Sequence, residues 1–221
     1  MRETDVVYVD RPSHLMSFAF KWLDKKQFIV RTLADYPGYK KHPRCDKALC
    51  QELHKLLTEA DLLVGHNSDS FDIKKANSRF LYHRLPVPAP YKTFDTLKAA
   101  RKTFRFDSNK LDTLSQTLFS EKKLPNTGIN LWVSCLNGDL RAWKIMAAYN
   151  KRDVVLLEKL YLEVRPWSNH PNLNLLTGHS ACPTCQSMNV QARGLAIAKT
   201  RKRQRFQCQA CGSWWSEALK K

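Results

Sequence analysis

Between Glu163 and Glu217 the sequence has no acidic residue. Acids are scarce throughout: 37 Lys and Arg stand against 20 Asp and Glu, a net charge of +17 with a pI near 9.7. Such a field repels cationic partners and favours a polyanion, most plausibly nucleic acid, with a membrane surface as the rival. Long apolar runs are also missing. None approaches the ~20 residues a spanning helix needs, and Met1-Arg2-Glu3-Thr4-Asp5 is not a secretory leader. These absences predict a soluble, intracellular, cytoplasmic protein without a membrane partner. A secreted disulfide framework is absent as well. The seven cysteines are odd in number, and in a reducing compartment their Cys-x-x-Cys pairs favour metal. Internal repeats and low-complexity tracts are lacking. What remains is an ordinary globular composition, 43% hydrophobic and 10% aromatic. The length allows one domain, or one domain plus a small module.

Residues 5–10 hold Val6-Val7-Tyr8-Val9, a short buried strand ending on the carboxylate of Asp10. Residues 15–23 and 27–33 read as two further strands, and Asp24-Lys25-Lys26 between them predicts a hairpin. Pro37, Gly38 and Pro43 make residues 36–44 a loop. Residues 46–59 carry Ala48, Leu49, Leu53, Leu56 and Leu57 at helical spacing. Cys45, Cys50 and His54 lie in or beside that helix, but with His42 they match no standard zinc spacing. Residues 61–65 form a strand ending in glycine, a polar loop follows, and a helix runs over 72–84. Asp72 therefore has two readings. It caps the helix, or it is a carboxylate at the carboxyl edge of a strand, where α/β folds hold ligands and metals. Residues 91–95 are the next strand, ending in Asp95. Helices are predicted over 96–104, 109–119, 140–148 and 149–164, the last two with room for a bend, and 121–130 reads as irregular. This order predicts an α/β fold, a mixed sheet with helices on both faces. Residues 168–178, crowded with Asn, Pro and Gly, read as a linker. It divides 1–167 from a small module at 179–221.

Three carboxylates stand out: Asp10, Asp72 and Asp153. Tyr149 and Asp153 are four residues apart in a predicted helix and share one face. Hard oxygen ligands converging on one sheet edge suit Mg²⁺ or Mn²⁺. Two such ions stabilise both the attacking and the leaving oxygen of a phosphodiester. A nearby phenol orients the attacking water, and a basic surface holds the substrate's phosphates.

With His66-Asn67 followed by Phe71-Asp72, and Tyr149-x-x-x-Asp153, the sequence resembles the DnaQ-like 3′–5′ exonucleases. These form the DEDD group, tyrosine subgroup, of the ribonuclease-H-like superfamily. The resemblance covers residues 5–167 and is closest to the stand-alone proteins of phages and bacteria. It implies a ribonuclease-H-like mixed sheet flanked by helices, and hydrolysis of DNA or RNA, with single-stranded ends as the substrate. It implies metal ligation by Asp10, Asp72 and Asp153, with Tyr149 orienting water. His66, Asn67, Asp95 and Asp112 match segments that sit near such a site without being primary ligands. For a phage protein the expected place of action is the host cytoplasm. The first motif departs from the pattern: the family has Asp-x-Glu, and Pro12 stands two residues after Asp10. One carboxylate is missing, which puts the second metal in doubt. It also keeps open a non-catalytic nucleic-acid-binding or complex-assembly role.

Cys182-Pro183-Thr184-Cys185 and Cys208-Gln209-Ala210-Cys211 form C-x₂-C-x₂₂-C-x₂-C. Two such knuckles present four thiolates to one structural Zn²⁺. A segment this small has no sufficient core, so metal supplies its folding energy. It resembles a zinc ribbon. Between the knuckles lie Arg193, Lys199, Arg201, Lys202, Arg203 and Arg205, and Trp214 and Trp215 follow. Cations with aromatics suit phosphate contact and base stacking. The tryptophans read equally as packing for the ribbon's small core, one in and one out.

Overall fold

The computed structural model describes residues 13–125, 128–174, 181–197 and 201–219. The predicted strand over 5–10, with Asp10, lies outside the described residues, as do Lys199 and part of the predicted linker. The chain divides into two compact units. The first is drawn from Met1–Ala60, Phe71–Pro90 and Lys123–Val154, the second from Asp61–Ser70, Tyr91–Lys122 and Val155–Lys221.

In the first unit, β1 (Ser17–Lys21) and β2 (Phe28–Thr32) form the predicted antiparallel hairpin. Its turn closes through Lys25 N–H on Trp22 O at 3.0 Å. Aromatic and β-branched residues favour this pairing. Helix α1 (Lys47–Glu59) buries Leu49, Cys50 and Leu57, one face at helical spacing. The core gathers Leu33, Leu49, Leu131, Cys135, Ala142, Trp143 and Met146. Its one indole is satisfied: Trp143 Nε1–H donates to the Tyr39 hydroxyl at 2.9 Å, and that hydroxyl donates to Cys135 O.

In the second unit, β3 (Leu62–Gly65) and β4 (Lys92–Asp95) run parallel in the register Leu62↔Lys92 to Gly65↔Asp95. Helices α3 (Thr96–Thr103) and α4 (Leu111–Phe119) follow. The core joins Phe94, Ala100, Leu111, Leu114, Leu156, Leu160, Tyr161 and Val164. Residues 168–173 are tied in rather than loose. The Tyr161 hydroxyl donates to His170 Nε2 at 2.8 Å, and Leu173 N–H donates to Pro183 O. Since a carbonyl can only accept, His170 Nδ1 carries the proton that meets Pro171 O at 2.7 Å. Burial lowers the pKa of this imidazole and keeps it neutral.

Helix α2 (Asp72–Tyr82) belongs to the first unit. Two features differ from the reading above. Residues 129–136 form a helix, α5 (Ile129–Leu136), where an irregular segment was expected to extend to 130. The stretch is largely apolar, and burial of Leu131 and Cys135, one helical turn apart, fixes the face it turns inward. Helix α6 (Leu140–Val164) runs unbroken through the place where a bend was allowed.

Strands β5 (Val190–Ile197), β6 (Lys202–Cys208) and β7 (Trp214–Ala218) form an antiparallel sheet. Its register slips between Ala192 and Leu195, at Gly194, whose φ is 70°. The described fold is mixed α/β with small sheets, and none of its helices is long and apolar enough to cross a membrane.

Candidate active site and cysteine cluster

The loop after β3 is built around Asp95. This buried carboxylate caps α3, accepting from Leu97 N–H at 3.0 Å and Lys98 N–H at 3.4 Å. It also accepts from Asn67 N–H at 2.9 Å and Asp69 N–H at 3.2 Å. Four backbone donors converge on one side chain, so Asp95 clamps the loop onto the helix. Asn67 takes φ 63°, a left-handed conformation that Asn tolerates better than most residues. Gly65 is forced by space: a Cβ there would lie 2.2 Å from Ser68 Oγ. Thr96 Oγ1 donates to Gly65 O at 2.9 Å, so it must accept from His66 Nδ1, also at 2.9 Å. That sets the His66 tautomer, with its Nδ1 protonated. Asp69 pairs with Lys98 at 2.7 Å. The motif residues His66 and Asn67 are thus held by Asp95 and Thr96.

Asp72 is the first residue of α2, and Phe71 occupies the capping position with no side-chain cap bond. The capping reading of Asp72 is therefore corrected. Its carboxylate lies in the first turn and is exposed, where the helix dipole favours negative charge. Asp112 sits likewise in the first turn of α4.

Tyr149 and Asp153 lie one turn apart on α6, as the spacing predicts. Lys123, which no sequence pattern marks, joins them. Its ammonium donates to Asp153 Oδ2 at 2.7 Å and to the Tyr149 hydroxyl at 3.3 Å, and lies 5.3 Å from the ring centroid. Burial alone would depress this ammonium, but the bond and charge of Asp153 outweigh it and raise its pKa. Asp72, Tyr149, Asp153 and Lys123 all belong to the first unit. With Asp10 outside the described residues, two of the three expected carboxylates are described. Neither appears in a described group of three ligand atoms within 4.8 Å. As donors they suit Mg²⁺ or Mn²⁺, being hard oxygens.

One such group is Asp46, Cys50 and His83. It does not fit a cation. Asp46 takes Arg79 in a two-pronged pair, Nε to Oδ2 at 2.8 Å and Nη2 to Oδ1 at 2.6 Å. It also accepts from His83 Nε2 at 2.6 Å and Leu15 N–H at 2.7 Å. Burial would raise the Asp46 pKa, but these donors hold it at about 2. Burial pushes the Cys50 thiol up to about 12, so it stays protonated. His54 meets Pro86 O instead, and Cys45 is exposed.

The other group is Cys182, Cys185, Cys208 and Cys211, with every Sγ within 4.8 Å of the others. Cys182–Cys211 and Cys185–Cys208 are each 3.7 Å apart, and all four are free thiols. A disulfide needs ~2.05 Å between sulfurs. Tetrahedral zinc with ~2.3 Å bonds sets sulfurs ~3.8 Å apart. The two 3.7 Å distances are opposite edges of such a tetrahedron. The donor set is therefore compatible with Zn²⁺. Gly212, at φ 78°, lets the second knuckle turn back so that its N–H reaches Cys208 O. Burial raises the pKa of Cys182 and Cys185; it would raise Cys211 too, but hydrogen bonding with Ser213 and the neighbouring thiols brings that thiol to about 7.

On the adjoining sheet, Arg193, Arg201, Lys202 and Arg205 are exposed, and Arg205 lies 5.4 Å from the Trp214 ring centroid. Arg203 is engaged, donating to Ser216 O at 2.7 Å. Trp214 is half exposed, whereas Trp215 stacks on Phe206 at 5.5 Å.

The described fold is mixed α/β, with acids at helix starts and on a long helix. The chain belongs to the RNase H superfamily, whose model matches residues 3–165. A search of curated proteins finds no match. Membership implies nuclease-related action on nucleic acid.

Proposed function

We propose that the chain is a metal-dependent 3′–5′ exonuclease acting on single-stranded DNA or RNA ends, with the cysteine module a zinc ribbon that grips the strand. The observation that carries this reading is the Tyr149–Asp153 pair on one face of α6, bridged by Lys123. Asp72, Asp153 and Asp10 would hold Mg²⁺ or Mn²⁺, which on binding supplies electrostatic stabilisation of the phosphate and a more acidic water. Lys123 donates to the phenol oxygen, so the Tyr149 O–H is free to turn toward a water or a phosphate oxygen. The test is a 5′-labelled oligonucleotide incubated with Mg²⁺ or Mn²⁺. A ladder shrinking from the 3′ end, lost in Asp72→Asn and Asp153→Asn, is expected, with circular single strands left intact. No shortening that depends on Asp72 sinks the reading.

Two observations favour a second reading, a nucleic-acid-binding or complex-assembly protein that does not cut. Pro12 stands where the family has an acid, and Lys123 already neutralises Asp153. In that case the oligonucleotide binds and stays whole with either metal.

A further inference from the structure

A cavity of about 500 Å³ opens in the first unit between the loop before α1 and the end of α2. Lys41, His42, Arg44, Arg79, Tyr82 and His83 line it. Its one acid, Asp46, is fully buried and already takes Arg79, His83 and Leu15 N–H. Asp46 therefore offers the cavity no free acceptor; it acts as an anchor that holds the Arg79 guanidinium rigid. Arg79 is 6% exposed, and its Nη1 has no partner among the described residues. Lys41 and Arg44 are exposed, and neither pairs with an acid among the described residues. Asp46 meets the charge of Arg79, while Lys41 and Arg44 bring two cations with no acid partner among the described residues, so the opening is net positive. Arg79 lies over one face of the Tyr82 ring, 4.2 Å from its centroid, and Tyr82 is 60% exposed. The helix end itself does not repel an anion strongly. The carbonyls of Arg79, Phe80 and Leu81 accept from His83, Leu85 and Arg84 N–H groups.

We infer that this cavity is a phosphate site that holds the backbone of a nucleic-acid strand. A rigid guanidinium binds phosphate in a defined geometry, flexible Lys41 and Arg44 add charge, and an exposed aromatic offers a base a stacking surface. Asp72 starts α2 and Arg79 and Tyr82 end it, so at 1.5 Å per residue the cavity lies about 10–15 Å along the helix from Asp72. A strand with its end at Asp72 has to run a few nucleotides before a phosphate reaches the cavity. The inference rests on the nucleic-acid reading above, but not on cleavage.

The test is equilibrium binding of the full chain to labelled single-stranded oligonucleotides of increasing length, by fluorescence anisotropy, with no Mg²⁺ or Mn²⁺ added. Lys41→Ala/Arg44→Ala changes exposed side chains only. It is expected to weaken the affinity for longer strands at least tenfold and to lower the slope of log K against log salt by about two. Dinucleotides should bind both proteins alike. A control with the same charge loss, Lys25→Ala/Lys26→Ala, should keep the wild-type affinity. Equal affinity of wild type and cavity variant at all lengths overturns the inference and leaves the exonuclease reading untouched. A wild type that binds no oligonucleotide overturns both. If inorganic phosphate binds wild type but not the variant while strand affinity is unchanged, the cavity is a free-phosphate site and the inference fails.

Discussion

Asp46 takes four hydrogen bonds and has no solvent exposure, whereas Asp153 pairs with Lys123 and is partly exposed. The first carboxylate is structural, the second is a ligand in the proposed site, and residue-level predictions differ accordingly. Asp46→Asn leaves the Arg79 guanidinium buried without its counter-charge, at a cost of about 3–5 kcal/mol in the urea midpoint analysis. The same group sets an acid limit. Its pKa is held at about 2 against an ordinary 3.8, so its contribution is complete above pH 4 and is lost as pH falls toward 2. That loss amounts to roughly 2 kcal/mol. Unfolding free energy measured across that range should fall for wild type, and its gap to Asp46→Asn should narrow by about the same amount. In the proposed site the Lys123 ammonium would compete with a metal for the Asp153 oxygen. Lys123→Met should therefore lower the Mn²⁺ concentration for half-saturation at least about threefold, followed by free-Mn²⁺ spin resonance. An unchanged or weakened titration rules out that competition.

At the scale of elements, one side chain couples three pieces: β4, the start of α3 and the loop after β3. Asp95→Ala removes a helix cap and two loop anchors together, and should cost about 2–3 kcal/mol, above the usual ~1 for a cap alone. Amide exchange should rise at Asn67, Asp69, Leu97 and Lys98, the four donors it loses. Gly65→Ala tests the same junction from the other side. Its Cβ would meet Ser68 Oγ at 2.2 Å and Ser68 Cβ at 2.3 Å. Removing the Ser68 side chain, as Ser68→Gly, should recover much of the loss, whereas Ser68→Ala should not. Helix α5 makes a related point: Leu131 and Cys135, one turn apart, join the core of the first unit and fix which face of the helix turns inward.

For the whole molecule, net charge and the four-cysteine cluster matter most. A net charge of +17 predicts nucleic-acid affinity that falls steeply between 50 and 200 mM salt, by ~10³ or more for six phosphate contacts. The cysteine sheet has little core of its own beyond the Phe206–Trp215 stack and the half-buried edges of its strands. A strong chelator should accordingly open the segment from 181 to 219 to protease before the rest of the chain unfolds. Proteolysis of that segment that is insensitive to chelation counts against zinc as its source of stability.

Much of this was readable in the linear chain, because local physics leaves local marks. Apolar and aromatic runs marked β1 and β2, helical spacing marked α1, and the separation of Tyr149 from Asp153 put them on one face of α6. The C-x₂-C pairs brought four sulfurs to one point because each knuckle is a short, self-contained turn. Other features required the folded chain, since they join residues far apart in sequence through contacts no spacing encodes. Asp72 follows the cap instead of forming it. Lys123 reaches Asp153 across 30 residues, and Arg79 reaches Asp46 across 33. Composition pointed to a polyanionic partner, because excess positive charge is a property of the whole chain; tertiary structure decided which of the described cations are consumed by internal acids and which face outward.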